Sequence, residues 1–141
     1  EVLFGGEDVF IAALREALSS APRDFGPWEA LRHALRAAEP IFVANRAFSM
    51  PRQRIIATHP ALQERAQTKM RDVAGALVSS LVERGVPERS ATLAAQMAIA
   101  AMHQAVSAWF ESEGSDLGDH IDQAFEEVTA LSSSCWRRSP R

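Results

Sequence analysis

Four histidines, His33, His59, His103 and His120, and a single cysteine, Cys135, are the side chains of this sequence best suited to hold a metal or move a proton near neutral pH. Metal sites in helical bundles favour two histidines on one helix face, or a Glu three residues ahead of a His. Here the histidines fall in four separate segments and none has such a companion. A structural role is the simpler reading for each, and no metal or other cofactor is expected. His120 follows Asp116 and Asp119 where a helix should begin, which reads as helix-end electrostatics. His103 is different. It lies in "AAQMAIAAMHQAVSAWF", residues 94–110, and an imidazole on so apolar a helix needs a hydrogen-bond partner, which a ligand can supply as well as a neighbouring side chain.

Catalytic machinery is not apparent. No Ser, His and acid trio stands out, and no Gly-rich phosphate loop follows a strand, so an enzyme is not expected. The remaining chemistry is apolar. Trp28, Phe42, Phe48, Met50, Ile55, Met70 and Met97, with His103, could line an adaptable cavity, since thioethers repack around irregular shapes. Plain core packing is the alternative for each of the apolar side chains.

These residues sit in a chain of 141 residues, 47% hydrophobic and 23% charged, a composition that suits one domain. A net charge of −3 argues against nucleic-acid binding by this segment, because such binding depends on cations that neutralise phosphates. Arg46, Arg52 and Arg54, and Arg137, Arg138 and Arg141, read as a solvated face and a tail. His103 and Gln104 interrupt the longest apolar run well short of the ~20 residues that cross a bilayer, and no basic-then-apolar leader opens the chain, so no membrane partner is expected. One cysteine closes no internal disulfide, which suits a cytoplasmic location.

Every long segment repeats near 3.6 residues and none alternates as a half-buried strand does, so the fold class is all-α, about six helices. The first is expected over about Glu7 to Ser20, with Phe10, Leu14, Ala17 and Leu18 on one stripe. Pro27 suits the first turn of a second, and Pro40 should kink it near residues 36 to 40. A short third is expected from about Ala47 to Ala57. His59 and Pro60 open a long fourth, with Leu62, Ala66, Met70, Val73, Leu77 and Leu81 on one face, which Gly85 stops. Pro87 and Glu88 open the fifth, which ends near Gly114. Ser115 is a reasonable cap for the last, carrying Leu117, Ile121, Phe125, Val128 and Leu131; residues 133–141 lack periodicity and should fray.

The fifth helix poses a burial problem. On a helical wheel Leu93, Met97 and Ala101 fall on one side, while Ile99, Met102, Val106 and Trp109 fall on another. A second copy of the chain could cover one of these faces. The fifth and sixth helices are close enough in sequence to form an antiparallel hairpin, and two hairpins about a two-fold axis make a four-helix bundle. Ala98, Met102, Ala105, Val106, Trp109, Ile121, Phe125 and Val128 are the expected homodimer interface.

The runs "EDVFIAALREAL", "PIFVANRAFSMPRQRIIATHPALQERAQTKMRDVAGALVSSLVERG" and "MAIAAMHQAVSAWFESEGSDLGDHIDQAFEEV" resemble the C-terminal regulatory domain of TetR-family transcriptional repressors over nearly all of residues 1–132. The resemblance implies dimerisation through the last two helices, a cavity for a small, mainly apolar effector among the preceding ones, and coupling to a helix-turn-helix unit ahead of them. The opening "EVLFGG" resembles only the trailing edge of that unit, residues 1–6, so the recognition helix is expected to be absent and DNA to be reached only through it. The alternatives are a ligand-free dimerisation module and, further off, a small helical-bundle enzyme.

Overall fold

The computed structural model describes residues 7–44, 58–112 and 114–133. These residues form five helices and no strand: α1 (Glu7–Ser20), α2 (Pro27–Ala44), α3 (Pro60–Glu83), α4 (Glu88–Glu111) and α5 (Leu117–Ser132). The short helix expected over about Ala47 to Ala57, and the tail of 134–141, lie outside the described residues.

Proline and glycine set most of the boundaries. Pro27 and Pro60 occupy first helical positions, where the missing N–H removes nothing the helix could use. Pro40 lies inside α2, which continues through it to Ala44. Its ring deprives the Arg36 carbonyl of a donor, yet the helix runs unbroken from Pro27 to Ala44. α3 ends in a Schellman motif: Gly85, at φ +97°, donates to the Val82 carbonyl at 2.9 Å, and Val86 donates to the Leu81 carbonyl at 3.1 Å. The cap of α5 is Asp116 rather than Ser115, and it makes no side-chain capping bond.

α4 is the centre of the molecule, with α3, α5 and α2 all packed on it, while α1 packs on α2 and α3. Its buried positions are mostly alanines: Ala91, Ala94, Ala95, Ala98, Ala101 and Ala105, joined by Met102 and Trp109. Small side chains let several helices approach one axis. The chain thus buries Met102 and Trp109 on one wheel face of α4 by itself and leaves Leu93 and Met97 of the other exposed. The large apolar side chains come from the neighbours, where Leu14, Leu18, Leu31, Leu77, Leu81, Leu117, Ile121 and Phe125 are fully buried.

Two polar clusters fix the arrangement. Arg84, just beyond α3, spends its guanidinium on the end of α1 and the following turn. Nη1 donates to the carbonyls of Leu18 (2.9 Å) and Ala21 (3.0 Å), and Nη2 to those of Pro22 (2.8 Å) and Phe25 (3.4 Å). Helix C-terminal carbonyls lack intrahelical donors and carry partial negative charge, so a cation there answers both needs. The second cluster joins α2 to the start of α5. Arg32 donates to Asp122 at 2.8 Å, and Arg36 donates to the other Asp122 oxygen and to the Gly118 carbonyl; Glu39 accepts the Gly118 N–H at 3.0 Å. The hydrogen bond to Asp122 raises the Arg32 guanidinium above its ordinary value, against a smaller opposing effect of burial. Gly118 permits this approach: a Cβ there would stand 3.0 Å from Glu39 Oε1 and 3.1 Å from Arg36 Cζ.

Arg84→Ala should lower unfolding free energy by about 2 kcal/mol in urea denaturation, because four carbonyls lose a charged donor together. Arg84→Lys should recover less than half of that, since an ammonium cannot span the same fork.

Candidate functional site

A cavity of about 410 Å³ opens between α1, α2, α3 and α4. Each helix contributes its face by periodicity. α3 gives Met70, Val73 and Leu77, spaced three and four residues apart on one side. α4 gives Ala98, Ile99, Met102, His103, Val106, Ser107 and Phe110, the side on which larger residues replace alanine. α2 adds Leu35 and Phe42, and α1 adds Phe10. The gap lies on the side of α4 that carries Ile99, Met102, Val106 and Phe110 rather than a run of alanines. Protein interiors are otherwise packed without voids of this size.

The lining grades from closed to open. Leu35, Val73, Leu77, Ala98 and Met102 are buried, whereas Phe10, Phe42, Met70, Ile99, Val106 and Phe110 are half-buried, and His103 and Ser107 are exposed. Phe10 and Phe42 meet edge to face with ring centroids 4.9 Å apart and planes at 81°, tying the N-terminal part of α1 to the last turn of α2. Phe110 stacks on Trp109 at 5.4 Å. His103 and Ser107 stand one turn apart on the same face and are the polar side chains of the described lining. Among the described residues none that lines the cavity is a Lys, Arg, Asp or Glu.

Three of the eight side chains expected at a ligand site therefore line one cavity: Phe42, Met70 and His103. Phe48, Met50 and Ile55 lie outside the described residues. Trp28 is placed elsewhere: its ring lies 4.3 Å from Phe125, and its indole N–H donates to the Phe125 carbonyl at 3.4 Å, locking α2 to α5. Met97 is 42% exposed on the outer side of α4. Both residue types suit a cavity, but their neighbours in space could not be read from the sequence. Phe10, Val73, Leu77, Ile99, Val106, Ser107 and Phe110 were not anticipated. The available signal was the stripe shared by Ile99, Met102, His103, Val106 and Phe110, in which a histidine interrupts an apolar face.

The other histidines serve local structure. His33 meets Phe25 edge on at 6.1 Å, and His120 Nε2 shares a 3.0 Å hydrogen bond with the Ser115 hydroxyl. His59 stands at the N-cap of α3 with the Thr58 hydroxyl 2.9 Å from Nδ1.

Most of the expected interface residues are covered by their own chain. Ala98, Met102, Ala105, Trp109, Ile121 and Phe125 are buried inside the chain, Trp109 at 4% and Phe125 at 1% exposure, because α4 and α5 pack on each other and on α2. Val106 and Val128 are half-buried, and Val106 lines the cavity. The apolar groups that α4 and α5 turn outward are instead Leu93, Met97 and Leu131, at 60%, 42% and 62% exposure.

Comparison with known families matches residues 25–132 to the MftR C-terminal domain, one of the TetR C-terminal domain families. A search of curated proteins found no match.

The two ends of the cavity should respond differently to truncation. Leu77→Ala, at the closed end, should cost about 2–4 kcal/mol in denaturant unfolding, and Met70→Ala, half-buried at the rim, less than half as much.

Proposed function

Because the chain belongs to the MftR C-terminal domain family of TetR-type transcriptional regulators, we propose that it is the effector-sensing and dimerisation domain of a cytoplasmic repressor. In this reading a small, mainly apolar molecule occupies the cavity and alters DNA binding by a helix-turn-helix unit ahead of α1. The observation that carries it is the cavity itself: about 410 Å³, in the size range of small-molecule sites, walled by four helices and mostly apolar. Domains of this family are regulatory rather than catalytic, and the reading assigns no reaction.

The transmission follows from the geometry of the rim. A ligand shifts a conformational equilibrium only by its differential affinity for the two states. Phe10 of α1 and Phe42 of α2 both line the cavity and touch each other, so an occupant bears directly on the contact that sets where α1 lies against α2. A bias of ~1–3 kcal/mol between two positions of α1 is enough to change operator affinity appreciably.

Dimerisation is assigned to the outward sides of α4 and α5. Leu93 and Met97 lie one turn apart on α4, and Leu131 lies near the end of α5; single exposed apolar residues are ordinary, but these fall on the two helices through which such domains pair. Among the described residues no helix is long and apolar enough to cross a membrane.

Titration with N-phenyl-1-naphthylamine, an uncharged apolar fluorophore, should show saturable enhancement with a blue shift, and saturating probe should raise the melting temperature by several degrees. Val73→Phe, which fills the closed end, should abolish both effects while the protein stays folded; a wild-type protein that neither binds nor is stabilised would refute the effector site. Met97→Glu should convert a dimer to a monomer in sedimentation equilibrium without lowering helix content. A wild-type chain that sediments as a monomer at high concentration would remove the dimer assignment.

A further inference from the structure

The distribution of polar groups around the cavity narrows its occupant further, given the effector-site reading above. The closed end, at Leu35, Val73, Leu77 and Met102, offers nothing but hydrocarbon and a thioether. His103 and Ser107 stand together at the open end, four residues apart on α4 and both exposed. Residues so spaced lie on one helix face within reach of a common partner. A neutral imidazole offers one donor and one acceptor, and a serine hydroxyl offers a donor and two acceptor lone pairs. Together they match a group that both gives and takes a hydrogen bond. A fixed charge is less well served, because an ion drawn toward apolar walls requires an opposite charge, and the described lining contains no Lys, Arg, Asp or Glu.

We propose that the cavity takes an uncharged, single-headed amphiphile, with a hydroxyl-type head held between His103 and Ser107 and a hydrocarbon tail running inward along Val73 and Leu77. At the packing density of protein interiors, ~0.74, the volume accommodates a molecule of on the order of 15 non-hydrogen atoms. Head and tail are then recognised by different ends of one site. The rim sets which head group is preferred, and the closed end limits chain length.

The test compares four octyl probes on the whole chain by isothermal titration calorimetry: 1-octanol, octanoate, octylamine and methyl octyl ether, the last able to accept but not to donate. 1-Octanol should bind tightest, with the ether several-fold weaker and both ions weaker still. In the His103→Leu/Ser107→Ala double variant, affinity for 1-octanol should fall about tenfold, the equivalent of one or two net hydrogen bonds, to the level of the ether. Both substituted positions are exposed, and an unchanged melting temperature of the free variant confirms that the fold is intact. Octanoate or octylamine binding more tightly than 1-octanol would overturn the head-group assignment and leave the cavity as an effector site. Equal affinity of wild type and double variant for 1-octanol would do the same. Failure of all four probes and of the naphthylamine to bind would overturn the effector site as well.

Discussion

The organisation of this protein depends on the thinness of one helix. α4 carries alanine at Ala91, Ala94, Ala95, Ala98, Ala101 and Ala105, and only a side chain that small allows α2, α3 and α5 to converge on a single axis. Each of these neighbours brings the bulk that α4 lacks: Leu31 and Leu35 from α2, Leu77 and Leu81 from α3, Ile121 and Phe125 from α5. An enlarged side chain at any of these alanines would push at least one helix away, and overpacking of this kind generally costs ~1–3 kcal/mol. The core is shared among elements distant in sequence, with α4 as the surface against which each is positioned.

The cavity arises from the same rule where it stops applying. On the side of α4 that bears Ile99, Met102, Val106 and Phe110, the neighbours cannot come as close, and α1 does not contribute enough side chain to fill the difference. Two polar clamps keep the helices from collapsing into the gap. Arg84 holds the α1–α2 turn to the end of α3, and the Arg32, Arg36, Asp122 and Glu39 group holds α2 to the first turn of α5. Both lie away from the cavity rim. The frame is thus fixed at its corners, while Phe10 and Phe42 join α1 to α2 at the rim.

The helices were legible in the sequence because their ends are chemically marked. Proline opens α2 and α3, Gly85 closes α3 at a positive φ, and the first helix was expected over the same residues, Glu7–Ser20, that form α1. Burial on α4 was harder to read. Alanine runs around most of the helix, so the wheel shows two weak apolar faces and does not reveal which of them α3, α5 and α2 cover. The dimer expectation follows from that ambiguity, and Trp109 and Phe125, which it assigns to the interface, are buried within their own chain. Phe42, Met70 and His103 line one cavity because their helices converge, whereas Trp28 binds to Phe125, 97 positions away, a contact that no local pattern encodes. Phe48, Met50 and Ile55 fall outside the described residues.

Trp109 is sealed in the core, yet its ring stacks on Phe110, whose other neighbours include the space between the helices. Indole emission depends on the polarity and packing of its surroundings, so any movement of Phe110 is transmitted to a chromophore that solvent does not reach. The protein therefore carries an internal optical gauge one residue from the void, and light absorbed in the core reports on the wall beside it.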